Sequence, residues 1–148
     1  MSKKSAKIAE LIESLRGQRF DAHYLGYFAC FNRGMFYDSH DVLEELWLGQ
    51  REGPNYSFYK GLIQFAGAFV HLQKHTAQRP RLHPAAALFR LARANLQKYP
   101  RLHEGFDVTT VLVIIDDWLG RLERGKFQIN PLHPDNAPKL TVPSVEPG

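Results

Sequence analysis

The chain has 148 residues, 44% hydrophobic and 23% charged, which suits one soluble domain with its own core and excludes a disordered or disulfide-stapled chain. Cys30 stands alone, and no window reaches the roughly 18 to 20 apolar residues that span a bilayer, since even "GLIQFAGAFVHLQ" is cut by Gln64 and His71. The opening "MSKKSAKIAE" has no apolar leader, so a cytoplasmic place is expected, and the net charge of +4 leaves a polyanionic partner open.

The elements read as a series of helices. Ser5 to about Arg16 sets Ile8, Leu11, Ile12 and Leu15 at helical spacing, with Gly17 as the stop. From Phe20 to about Asn32 an aromatic stripe, Phe20, Tyr24, Tyr27 and Phe31, predicts core. Opposite it Ala22, Gly26, Ala29 and Cys30 form a face of small residues that lets another helix come close. A third helix starts between Met35 and Asp38 and ends at Gly49.

Residues 56–75 carry apolar side chains over most of the circumference, which predicts a central helix. The fifth helix opens at His83-Pro84, with proline at its first position, and closes before Tyr99-Pro100. The sixth runs from an Asp107 cap to Gly125, with Val111, Ile115, Trp118 and Leu122 on its core side. Its "VTTVLVII" favours a strand by propensity, but no partner strand offers itself and the helical period continues through it. The expected fold is therefore all-α, one bundle of about six helices over residues 1–125, followed by an irregular proline-rich arm over 126–148.

Charge is unevenly placed. Lys74 to His103 holds seven Lys or Arg and no acid, whereas Asp38 to Glu52 holds five acids and one arginine. The simplest reading of the basic span is a solvated helix face, because no nucleic-acid motif accompanies it.

Within "HDVLEELW", His40, Glu44 and Trp47 fall within about 60° of arc on one helix face. Asp38, Asp41 and Glu45 are expected to point away from the core. On the central helix Lys60, Gln64, Gly67 and His71 make one narrow polar stripe. If the two edges meet, with Gly67 letting the backbones approach, His40, Glu44, Gln64 and His71 share a pocket. Two imidazoles and a carboxylate suit a divalent ion such as zinc. The bland alternative is a His–Glu pair that fixes helix packing, with the stripe facing solvent.

The segments "FNRGMFYDSHDVLEELW", "GLIQFAGAFVHLQK" and "AAALFRLARANL" together resemble the bacterial and archaeal domain of unknown function numbered 309, over about residues 20–122. The matching positions are Phe31, Asn32, Gly34, Phe36, His40, Glu44, Glu45, Trp47, Gln64 and His71. The resemblance implies a compact all-α domain whose HxxxE motif has been suspected of binding metal, and it implies no activity. Ser39-His40-Asp41 departs from an expected Ala-His-Glu, which bears on Asp41 and not on His40 or Glu44.

Three functions follow as expectations. The first is a metal-dependent hydrolase in which His40, Glu44 and His71 hold a first-row divalent ion and Glu45 or Gln64 handles the activated water. Tyr37, Asn32, Trp47, Lys60 and Gly67 would complete its pocket. The second is a non-enzymatic module that binds a partner protein or a polyanion through the basic span, with Arg90, Arg93 and Gln97 on one face. The third is self-association into a homo-oligomer through the small face of the second helix.

Overall fold

The computed structural model describes residues 5–144. They form a bundle of six helices: α1 (Ala6–Ser14), α2 (Ala22–Phe31), α3 (Phe36–Leu48), α4 (Tyr56–Lys74), α5 (Leu82–Leu96) and α6 (Val108–Arg124). A two-residue hairpin, β1 (Leu102–His103) and β2 (Phe106–Asp107), sits between the last two helices.

Local chemistry sets the boundaries. Ser5 Oγ accepts the Ile8 N–H, and Asp21 Oδ1 accepts the His23 N–H, so each side chain satisfies a helix-start donor that has no intrahelical partner. Asp107 does the same for Thr109 at the head of α6, and this hydrogen bonding holds its carboxyl below the usual range. "VTTVLVII" is helical, with Val111, Ile115, Trp118 and Leu122 buried. Packing of this apolar stripe outweighs the β-branched preference.

Proline 84 stands third in α5 rather than first, behind Leu82 and His83. The first turn needs no proline N–H at either place, so both registers avoid a lost bond. The hairpin was not expected. Its turn puts Glu104 at φ 50° and Gly105 at φ 67°, the pair of positive angles that matches strand twist in a two-residue turn.

The core is aromatic. Phe31 lies against Phe36, Phe65 and Phe69, and Phe69 against Phe89 and Trp118, with ring centres 4.9 to 5.7 Å apart. Tyr24, Tyr27 and Phe31 of the α2 stripe are each 2% exposed or less. The Tyr27 hydroxyl donates to the Leu62 carbonyl at 2.6 Å and the Ser39 hydroxyl donates to the Tyr27 carbonyl at 2.8 Å, which pins α2 to both α4 and α3. Burial pushes the Tyr27 phenol well above its ordinary pKa.

The small face of α2 is taken by α1, not left as a seam for a second copy. A Cβ on Gly26 would lie 2.5 Å from Ile12 Cδ1 and 3.2 Å from Val42 Cγ1. Ile8, Ile12, Ala22, Cys30 and Val42 form a second small core there. Burial pushes the Cys30 thiol up to about 11, so it is protonated and unreactive at neutral pH. Asp41, expected to face away from the core, is 5% exposed, because α1 and α2 cover the side of α3 that it shares with Val42.

Helices α4 and α5 are antiparallel neighbours whose register can be read from three contacts. A Cβ on Gly61 would lie 2.7 Å from Leu96 Cγ, one on Gly67 would lie 3.1 Å from Leu88 Cδ1, and His71 meets Arg81 at 3.4 Å. Residues 126–144 form no helix or strand. They are fastened across the bundle by Asn130, whose amide donates to the Leu72 carbonyl at 2.7 Å, and by Leu140, which enters the main core. The last four residues of the expected arm, 145–148, lie outside the described residues.

Candidate functional site

The hydrophilic edges of α3 and α4 do open onto one cleft, and α5 supplies its third wall. Tyr37 and His40 come from α3; Ile63, Gln64, Gly67, Val70 and His71 from α4; Leu88 from α5; together they enclose about 290 Å³. Three aliphatic side chains and the Tyr37 ring make the lining mostly apolar, with polar groups placed singly, the usual make-up of a small-molecule site.

Each polar group has a defined setting. His40 Nε2 lies 3.7 Å from Glu44 Oε2, too far for a hydrogen bond, and its ring lies 5.9 Å from the Tyr37 ring. His40 Nδ1 is buried without a hydrogen-bond partner. Gln64 is oriented by Asn95 of α5, whose amide donates to Gln64 Oε1 at 2.8 Å. His71 Nδ1 faces the Arg81 guanidinium at 3.4 Å. Desolvation, then the charges of Arg81 and Lys74, hold its pKa below the ordinary imidazole value.

Arg81 reaches His71 because the α4–α5 connection is tied down. The Arg81 backbone N–H donates to His75 Nδ1 at 3.0 Å, and Thr76 and Arg79 close a turn inside the loop. Lys74 Nζ lies over the Tyr37 ring, 5.2 Å from its centre. Two cations, Arg81 and Lys74, thus stand behind the His71 and Tyr37 walls of the cleft, while Glu44 stands beside His40 on α3.

The other expected site residues are elsewhere. Glu45 Oε2 is 2.9 Å from His23 Nε2 of α2, on a different side of α3 from His40. Trp47 packs on Tyr56 at 5.3 Å, and Lys60 lies over the same Tyr56 ring, so both belong to the α3–α4 junction. Asn32 holds Leu140 of the arm. Gly67 admits Leu88 of α5 rather than a residue of α3. The polar stripe of α4 is answered largely from α5: Gln64 by Asn95, and His71 by Arg81.

The expected metal set does not assemble. His40 and Glu44 offer two donors one turn apart, but among the described residues no three of His, Cys, Asp and Glu converge as ligands. His71, the intended third ligand, has a guanidinium at its Nδ1, and that cation repels a second one. The basic span is also less free than its sequence suggests, because Arg93 pairs with Asp116 of α6 at 2.7 Å and Arg101 with Asp107 at 3.4 Å. Among the described residues no helix is long and apolar enough to cross a membrane.

Arg81, Lys74 and Leu88 were not singled out as site residues. A signal did exist: a connection of seven residues between α4 and α5 makes the helices antiparallel, and so brings the start of α5 beside the last turn of α4.

No curated protein and no solved structure matches the chain. A family model does match, over residues 24–79, and its description is "Domain of unknown function (DUF309)". The matched segment runs from Tyr24 in α2 through α3 and α4 to Arg79, shorter than the 20–122 of the sequence resemblance; "AAALFRLARANL" lies outside it. His40, Glu44, Gln64 and His71 fall inside, Arg81 and Leu88 beyond. Over these residues the chain is similar to the DUF309 family, whose description assigns no activity.

Proposed function

We propose that the chain binds a small organic ligand in the cleft between α3, α4 and α5. The observation that carries this reading is the make-up of the cleft: His40, Gln64 and His71 stand singly among Ile63, Val70, Leu88 and the Tyr37 ring. His71 and Gln64 offer further hydrogen-bonding groups on the opposite wall.

The size of the cleft limits the ligand. An apolar cavity of about 150 Å³ accepts benzene, so about 290 Å³ suits a single ring with a short substituent or a chain of comparable bulk. The donor set argues against the hydrolytic metal version, for the reasons given above for His71.

The test is a titration of the full chain with indole, benzamide, benzoate and benzylamine, followed by the ring resonances of His40 and His71. At least one probe should move both, and Gly67→Phe, which fills the cleft, should suppress the response. Four probes that leave both rings unmoved at millimolar concentration overturn the reading. Zinc, manganese, iron and nickel added in parallel test the metal version. A rise in melting temperature that is lost in His40→Ala restores it.

A further inference from the structure

We infer that the ligand of this cleft is an organic anion, a carboxylate or equivalent acidic head on a small apolar body, with the head at the Arg81 end. This rests on the cleft being a binding site and specifies the chemical class that it takes.

The argument starts from charge without a counterpart. Among the described residues no carboxylate lies within ion-pair distance of Arg81, which touches His71 of the cleft wall, or of Lys74, which lies over Tyr37 of the same cleft. Four other arginines of the chain, Arg16, Arg93, Arg101 and Arg121, do hold an acid. Arg81 instead turns Nη1 toward His71 Nδ1 at 3.4 Å, a long contact with an uncharged acceptor, while its Nε is buried with no partner. A guanidinium without a counter-charge suits a carboxylate, which accepts N–H bonds from its terminal nitrogens.

The position is held, not incidental. His75 fixes the Arg81 backbone and the turn at Thr76–Arg79 fixes the loop, so the guanidinium is pre-organised and little freedom is lost on binding. Lys74, lying over Tyr37, adds a second cation at the rim. Beyond this end the wall is Ile63, Val70 and Leu88, which takes an apolar body and nothing charged. The Glu44 carboxylate stands at the His40 side, where it repels an acidic head and so favours one orientation.

Affinities of benzoate, benzamide and benzylamine for the full chain, measured by calorimetry at low and moderate salt, test the inference. Benzoate should bind at least about tenfold more tightly than benzamide, with benzylamine weakest, and the preference should shrink as salt rises. Arg81→Gln should bring the benzoate-to-benzamide ratio near one. Lys74→Gln, at an exposed position and safe for folding, should lower it by a smaller factor. Benzoate should also raise the pH at which the His71 ring titrates. Equal affinity for benzoate and benzamide overturns the anion assignment and leaves the cleft as a binding site. A preference for benzylamine overturns it too, and no binding by any of the three removes both readings.

Discussion

Asn32 and Leu140 exchange two hydrogen bonds of 2.7 Å each: the Asn32 amide donates to the Leu140 carbonyl, and the Leu140 N–H donates to Asn32 Oδ1. The side-chain amide thereby does for the arm what a neighbouring strand does for an edge. Asn32→Ala loses both bonds, which predicts a loss of about 1 to 3 kcal/mol in stability. It also predicts faster amide exchange at Leu140 and proteolysis confined to residues 130–144. Chemical denaturation and exchange mass spectrometry check the two parts, and unchanged exchange at Leu140 would show that the arm is held by Leu140 burial alone.

Two glycines of α4 should respond oppositely to the same change. At Gly61 a Cβ meets Leu96 at its branch point and Asn95 at its Cβ, parts of the side chains that cannot swing aside. Gly61→Ala should therefore cost about 1 to 3 kcal/mol. At Gly67 the only close atom is the tip of Leu88, which lies on the open cleft. There the helix preference for alanine, about 0.5 to 1 kcal/mol, should leave Gly67→Ala as stable as the parent or more so, with a narrower cleft. Paired urea titrations measure both.

If His40 serves binding rather than packing, a residue of similar shape without nitrogen should improve the fold. His40→Phe removes the shielded Nδ1 and should raise stability by about 1 kcal/mol while weakening every probe that binds the cleft. A destabilised His40→Phe would instead mark the imidazole as a structural partner of Glu44.

The depressed pKa of His71 fixes the sign of a pH effect. The unfolded chain takes up a proton at residue 71 near the ordinary imidazole value, whereas the folded chain refuses it because of desolvation, Arg81 and Lys74. Across the cleft it faces His40 and Tyr37, with Glu44 beyond. The unfolded state therefore binds more protons, and stability falls as pH is lowered through that value until folded His71 itself protonates. Above it the effect is absent. The slope from this one group cannot exceed about 1.4 kcal/mol per pH unit. His71→Gln should flatten the profile between pH 7 and 5 by its share, measured as the difference between the two proteins' denaturation free energies.

Residues that act within their own helix were legible in the sequence: the Asp107 cap, the Gly49 and Gly125 stops, the aromatic stripe of α2 and the burial of α4 all follow from local spacing. The helix of "VTTVLVII" was legible by elimination. What failed depended on a partner distant in the chain. Glu45 looked available until His23 took it, Asn32 looked like a pocket residue until Leu140 arrived from 108 positions away, and the small face of α2 looked open until Ile12 filled it. The cleft was half legible for the same reason. The spacing put His40 on one edge and Gln64 and His71 on another, but α5, which sets the depth and the charge of the site, left no periodic signal pointing at it.

The interlock of Gly61 with Leu96 sits ten residues, or about 15 Å of helix, from the contact of His71 with Arg81. Since α5 is a rod seated at one end in that notch, a shift there is carried along its length to the guanidinium at the other. The side chain that tunes ligand charge selection can thus be misplaced by a methyl group that touches neither the ligand nor the cleft, and a screen for altered binding should recover substitutions at Gly61 and Leu96 alongside those in the walls.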